Sequence, residues 1–308
     1  MKIFEYNYGD SLPINDTAIA LGFFDGVHLA HRELISLTVA EAKARGLIPT
    51  VFTFSAEDAS VKAAAARIYP TGVRLSILEE LGVECAVVAD FGSVCGLLPD
   101  SFVKEVLTDA CGMRLAVSGY NFRFGKGASA GAQELHRLCT SFGAECLLLE
   151  ERSYDGEAIS STRIRAALES GDVRLACELL GAPYRMRGVV ERGRGVGHRL
   201  GFPTVNTRIP DGAVKIKNGV YKTAVATGEG LLPGITNVGV CPTFEEREAH
   251  AETFIKDFKG DLYGQEVEVL FLDFIREERK FKSSDELIMQ INIDKSIAFG
   301  ECDRETER

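Results

Sequence analysis

Positive charge is what this chain is short of. Its 308 residues carry 35 Lys and Arg against 45 Asp and Glu, a formal net charge of −10. Nucleic acid and anionic membrane surfaces call for a basic footprint, so the composition argues against both as partners. No apolar stretch is long enough to cross a bilayer, and Met1-Lys2-Ile3-Phe4-Glu5 lacks the apolar core of a secretory signal. The eight cysteines are scattered, without a Cys-x-x-Cys pair or a Cys/His cluster. They read as buried or idle thiols in a reducing cytoplasm, the expected location. Internal repeats are absent as well. The expectation is a monomer or weak homo-oligomer.

What is present suits ordinary globular cores: 45% of residues are apolar and 26% charged, and the length suggests about two domains. Up to about residue 182 the pattern alternates strand and helix. Strands are expected at 18–21, 50–54, 86–89, 115–118 and 146–149, and helices at 33–45, 73–81, 102–111 and 133–142. Gly46, Gly82, Gly112 and Gly143 close those helices. This predicts a Rossmann-like doubly wound parallel sheet, whose ligands sit beyond the carboxyl ends of its strands. Two short helices follow, at 162–169 and 173–180. After Gly181-Ala182-Pro183 the texture changes to short alternating strands at 187–191, 221–226, 236–240, 252–255 and 267–274. These predict a small antiparallel barrel, and a last helix at 284–298 carries Leu287, Ile288, Ile291 and Ile297. The expected division is 1–182 and 183–308.

Chemistry concentrates in a few segments. Gly22-Phe23-Phe24-Asp25-Gly26-Val27-His28 follows a buried strand and opens a helix, with His31 one turn on. Free N–H groups and the positive dipole end point the same way, so the pair of histidines reads as a phosphate-handling site. The loop Gly119-Tyr120-Asn121-Phe122-Arg123-Phe124-Gly125 lies beyond another strand end. In Ile159-Ser160-Ser161-Thr162-Arg163-Ile164-Arg165 the hydroxyls can cap a helix. Two arginines oppose that helix's dipole, which points to a nearby anion. Arg192-Gly193-Arg194-Gly195-Val196-Gly197-His198-Arg199-Leu200-Gly201-Phe202-Pro203-Thr204-Val205-Asn206 is locally basic, and its glycines let backbone approach a polyphosphate. It is not a Walker A loop, because no Gly-Lys-Ser/Thr closes it. Thr204 and Asn206 share one side of an extended segment and offer hard oxygens suited to Mg²⁺. Glu252, on a strand, reads by itself as a solvent-facing glutamate, with a general base as the other possibility. Asp261-Leu262-Tyr263-Gly264 reads as a turn. Arg276 and Arg279 read as a solvated cluster in preference to a phosphate clamp.

Taken in order, these segments resemble the bacterial bifunctional riboflavin kinase/FAD synthetase family over nearly the whole chain. The resemblance also rests on Gly219-Val220-Tyr221, Asn237-Val238-Gly239, Pro242-Thr243-Phe244, Glu252-Thr253, Asp257-Phe258 and Gln290-Ile291. It implies a C-terminal barrel that phosphorylates riboflavin with MgATP to FMN, with Glu252 as general base and Thr204 and Asn206 as magnesium ligands. It implies an N-terminal domain that transfers AMP from a second ATP to FMN, giving FAD and pyrophosphate. There His28 and His31 would meet the ATP phosphates, within an ATP site that takes in Gly22, Phe23 and Asp25. Asn121 would contact the nucleotide, and Ser161, Thr162 and Arg165 would clamp phosphate. In the barrel, Gly195, Gly197, Gly201 and Pro203 would line its ATP. The chain departs from the family pattern at Ala30, where glycine is usual, and at Ser55-Ala56-Glu57-Asp58, where Pro-His-Pro is common. His198 replaces another basic residue and Cys241 an arginine. These departures motivate two alternatives, a riboflavin kinase with a weakened or silent first domain and a flavin-nucleotide sensor; a third, a nucleotidyltransferase for another phosphate ester, explains the first half and leaves the second unemployed.

Overall fold

The computed structural model describes residues 1–55, 66–192, 202–210, 212–228, 230–242 and 247–300, the side chains of 240–242 and 247–249 excepted. By their contacts the residues fall into two compact units, Met1–Ser161 and Thr162–Arg308.

In the first unit, β1 (Lys2–Tyr6), β2 (Thr17–Leu21), β3 (Ile48–Phe54), β4 (Cys85–Ala89), β5 (Met113–Gly119) and β6 (Glu145–Leu149) form one parallel sheet in the order β1-β4-β3-β2-β5-β6. The doubly wound expectation holds, with β1 added at an edge that the apolar pattern did not mark. β2 is buried along its whole length, which explains why it reads as a continuous run of small and branched residues, Thr17-Ala18-Ile19-Ala20-Leu21. α1 (Leu29–Arg45) packs over β2, β3 and β5. Ile19 and Leu21 instead join Phe52, Phe102, Val106, Leu107 and Leu135 in the main core cluster. α2 (Thr71–Glu80) precedes β4, and α3 (Ala132–Ser141) precedes β6. Residues Phe102–Ala110 wind as a π-helix in place of the expected α-helix: Cys111 N donates to Val106 O at 3.0 Å and Thr108 Oγ1 to Val103 O at 2.8 Å. Strand order reverses between β2 and β5, so the crevice beyond their carboxyl ends is the topological switch point.

The second unit begins within α4 (Ser161–Ser170), whose first residue is counted with the first unit, and continues in α5 (Val173–Leu180). A closed antiparallel barrel follows. Its strands are β7 (Tyr184–Glu191), β8 (Thr204–Arg208), β9 (Gly219–Thr227), β10 (Gly230–Pro242), β11 (Arg247–Ile255) and β12 (Glu266–Arg276), joined in the order β7-β8-β11-β10-β9-β12. Closure removes the unpaired edges that a sheet of this size would otherwise present. Inward-facing Thr223, Thr236 and Thr253 are buried and pass hydroxyl hydrogen bonds across three strands, each 2.9 Å long. α6 (Ser284–Phe299) packs on β10 and β12, capped by the Ser283 hydroxyl, which accepts from Glu286 N. Its inward face is mixed: Gln290, Asp294 and Ala298 are buried and Leu287 and Ile291 line a cavity, while Met289, Ile293 and Ile297 are exposed.

Candidate functional sites

The first site is built on the turn from β2 into α1. Phe24 and Val27 both have positive φ, 56° and 43°. For the β-branched Val27 that is strained backbone, which persists only where surroundings enforce it. Val27 N closes the turn on Phe24 O at 3.1 Å. The turn delivers His28 as the N-cap of α1, where its Nδ1 accepts from His31 N. That bond leaves the His28 proton on Nε2, as a donor. The two imidazoles stack, 3.6 Å between centroids, with Phe24 edge-on to His31 at 5.3 Å. Burial pushes His28 down to about 4, and burial together with His28 and Arg74 pushes His31 well below the ordinary histidine value. Both rings are therefore neutral at pH 7. His31 Nδ1 is buried and has no hydrogen-bond partner among the described residues.

Around this pair, Asp25 is buried and accepts from Ile68 N at 2.9 Å, while its carbonyl accepts from Ser161 Oγ at 2.9 Å. Gly22, Phe23, Asp25, His28, His31 and Ser161 thus share one corner of the unit. A methyl on Gly22 would press on the Phe24 ring at 3.0 Å, so the turn is packed against its own glycine. Asn121 lies in the exposed loop after β5, across the switch point from the β2 turn. Thr162 and Arg165 belong to the second unit, where Arg165 Nη2 donates to Thr162 Oγ1 at 3.3 Å. Ala30 occupies the first turn of α1. Of the Ser55-Ala56-Glu57-Asp58 stretch only Ser55 is among the described residues.

Sequence reasoning missed Arg74. Its guanidinium is fully buried, donating to Phe23 O at 2.9 Å and to Phe54 O, and lies 4.7 Å from the centre of the Phe23 ring. Arg67 approaches the same ring at 4.9 Å. The available signal was an arginine inside the apolar helical run Val73-Arg74-Leu75-Ser76-Ile77-Leu78.

The second site lies on the outer face of the barrel, beneath α6. Register decides it. Asn206 on β8 pairs with Glu252 on β11, and Glu252 with Asn237 on β10, so these three polar side chains stand in one row. The next row on the same face is Thr204, Phe254 and Ile235. A cavity of about 240 Å³ opens here. Its apolar walls are Phe202, Phe254, Phe281, Leu287 and Ile291, and its polar ones include Thr204, Asn237, Glu252 and Arg276. Phe202 and Phe254 meet edge-to-face at 6.2 Å, with Lys295 within 6 Å of both rings. Glu252 is exposed at the rim, the position expected of a strand glutamate, but the surface it faces is this cavity.

The reading of Arg276 as a solvated charge is overturned. It is held in a two-pronged ion pair by the buried Asp294, with Nε at 2.9 and 3.1 Å from the two carboxylate oxygens and Nη2 at 2.8 Å. Gln290 Nε2 donates to the same carboxylate at 2.8 Å. Arg279 remains exposed, 3.7 Å from Glu286. Pro203 is exposed just before β8, whereas Gly195, Gly197, His198 and Gly201 lie outside the described residues, as does the side chain of Cys241. Asp261–Gly264 is a turn, with Tyr263 N donating to Asp261 Oδ1 at 2.9 Å. Sequence reasoning gave no role to Asn237, Gln290 or Asp294. The last two were visible as polar residues four apart within an apolar helix.

Residues 12–163 match the family model for FAD synthetase, and residues 180–299 match that for riboflavin kinase. The Bacillus subtilis bifunctional riboflavin kinase/FMN adenylyltransferase is 33% identical over 290 residues, covering 92% of this chain and 91% of that one. Its Haemophilus influenzae namesake is 34% identical over 288 residues, covering 91% and 92%. A crystal structure from Streptococcus pneumoniae, titled a macrolide-efflux protein, superposes with a TM-score of 0.87 at 30% identity, covering 98% of this chain and all of that one. Among the described residues here, no helix is long and apolar enough to cross a membrane. With both family models matched in order and relatives aligned almost end to end, this chain belongs to the bifunctional riboflavin kinase/FMN adenylyltransferase family.

Proposed function

We propose that the barrel unit transfers the γ-phosphoryl group of ATP to the ribityl 5′-hydroxyl of riboflavin, giving FMN and ADP. The parallel-sheet unit then transfers AMP from a second ATP to the FMN phosphate, giving FAD and pyrophosphate. The observation that carries the reading is the row Asn206, Glu252, Asn237 at the rim of an aromatic-walled cavity. The walls suit a flat, uncharged ring system, and a carboxylate beside them supports the assignment of Glu252 to the substrate hydroxyl. Glu252 takes the hydroxyl proton as the oxygen attacks phosphorus, and the β,γ-bridging oxygen leaves with ADP.

Thr204 and Asn206 offer a hydroxyl and an amide oxygen on one face of β8, a hard donor set that fits a hydrated Mg²⁺ shared with nucleotide phosphates. When bound, the ion supplies charge neutralisation on the phosphate oxygens. Gly195, Gly197, Gly201 and Pro203 are assigned to the phosphates of the same ATP.

In the first unit no covalent intermediate is needed. His28 presents its Nε2 proton and the α1 N-terminus its free N–H groups to the ATP phosphates. The buried His31 Nδ1, without a partner among the described residues, is assigned to the ligand. Asn121 is assigned to the nucleotide from the far side of the crevice, and Ser161 to its phosphates. A chain using ATP twice belongs in the cytoplasm, and its substrates and products are small molecules.

The deciding experiment supplies purified protein with MgATP and either riboflavin or FMN. Flavins are separated by chromatography, and ADP and pyrophosphate are assayed. Riboflavin should yield FMN with ADP, and FMN should yield FAD with pyrophosphate. FMN without FAD would reduce the chain to a kinase, and binding without either nucleotide product would make it a sensor.

A further inference from the structure

The ion pair of Arg276 and Asp294 sits in the wall of the barrel cavity, not at the protein surface. Among the described residues, five charged side chains line that cavity: Glu252, Glu278 and Asp294 against Arg276 and Arg279. Three carboxylates and two guanidinium groups sum to one net negative charge, and Arg279 faces Glu286 besides. Asp294 is 3% exposed, and its carboxylate is held by Arg276 and Gln290. Its main route to a ligand is therefore through the charge of Arg276. An unpaired guanidinium in an enclosed wall would attract any anion strongly, because charge is weakly screened there.

Resting on the riboflavin kinase reading, we infer that Asp294 is a specificity-determining positioning residue: it cancels the charge of Arg276, so the cavity accepts a neutral flavin alcohol and releases its phosphomonoester. Substrate and product share the ring and the ribityl chain. They differ by a phosphate of about −1.5 to −2 charge at pH 7. Binding energy from the shared parts cannot separate them, whereas the charge in the wall can. Gln290 completes the arrangement by fixing the carboxylate from the same helix face, which accounts for the two polar residues on the inward side of α6.

The test uses the full chain and initial rates of ADP release, with riboflavin varied against several fixed concentrations of FMN. ADP comes from phosphoryl transfer alone, because adenylylation releases pyrophosphate. The readout is the ratio of the FMN inhibition constant to the KM for riboflavin, which a general loosening of the fold would not move selectively. Asp294→Asn should lower that ratio about fivefold. Arg276→Gln should raise it. The double variant, with neither charge, should return to within about twofold of the wild type. An unchanged ratio in both single variants, or a double variant that behaves as Asp294→Asn does, overturns the inference. If Asp294→Asn does not fold, the direction of the Arg276→Gln shift decides alone. A wild-type chain that releases no ADP with riboflavin would instead overturn the kinase reading itself.

Discussion

At residue scale, His28 and His31 are the pair whose environment the sequence could not convey. Three-residue spacing at a helix start gave their location, but not that the rings stack and are buried enough to stay neutral. A consequence for stability follows. In the unfolded chain a histidine takes up its proton near 6.5, whereas folded His28 does so only at about 4. Between those values the unfolded state binds the extra proton, so stability rises with pH across the window and is complete above 6.5. Acidifying from pH 7 to pH 5 should therefore cost about 2 kcal/mol through His28, with His31 adding in the same direction. Denaturant unfolding followed by circular dichroism at the two pH values checks this. His28→Asn should lose less stability than the wild type over that interval, and equal losses would contradict it. Arg74 shows the limit of pattern reading from the other side. An arginine among Val73, Leu75, Ile77 and Leu78 looks like a solvent-facing interruption until the fold shows its guanidinium closing on two carbonyls and a ring.

At the scale of elements, legibility followed the strength of the period. β2, β3, β4 and β5 are buried runs and were readable, while β1 is an edge strand with an exposed start and was not. The π-helix escaped because Phe102, Val103, Val106, Leu107 and Ala110 fit an α-helical face as well as a wider winding. α6 misleads for a physical reason. Its isoleucines suggest a wholly apolar inward face, yet Gln290 and Asp294 share that face with Leu287, Ile291 and Ala298, and Met289, Ile293 and Ile297 are exposed at 67%, 47% and 58%. Changing Ile293 and Ile297 together to Gln should therefore alter stability by less than about 1 kcal/mol, the range of surface substitutions. Ala298→Asp, by contrast, would bury a charge where Ala298 is 2% exposed, and should destabilise the unit by several times that amount, roughly 3 kcal/mol or more. Thermal unfolding of the two variants side by side reads the difference; a large loss for the isoleucine pair would mean that the stripe is covered in solution.

At the scale of the molecule, the two sites are assembled from different physics. One is a helix mouth with neutral imidazoles, the other a row of polar side chains set by strand register. The sequence announced the first through glycines and histidines packed into ten residues. The second was dispersed over Thr204, Asn237, Glu252, Arg276 and Asp294, which only barrel closure and α6 bring together; alternation marked Thr204, resemblance marked Glu252 as a base, and neither gave a role to Asn237, Arg276 or Asp294. Sites built separately should fail separately. Glu252→Ala should lower ADP release with riboflavin by about 10²–10⁴-fold, the usual contribution of a general base, and leave FAD formation from supplied FMN at its wild-type rate. His28→Ala should do the reverse, stopping at FMN when riboflavin is offered. Neither variant alone makes FAD from riboflavin, yet mixing them in one tube should restore it after a lag, because FMN released by the His28 variant is substrate for the intact first unit of the Glu252 variant. A mixture that stays at FMN, with each single step active when its own substrate is supplied, would show that FMN is not released to solution and that the two reactions are coupled within one chain.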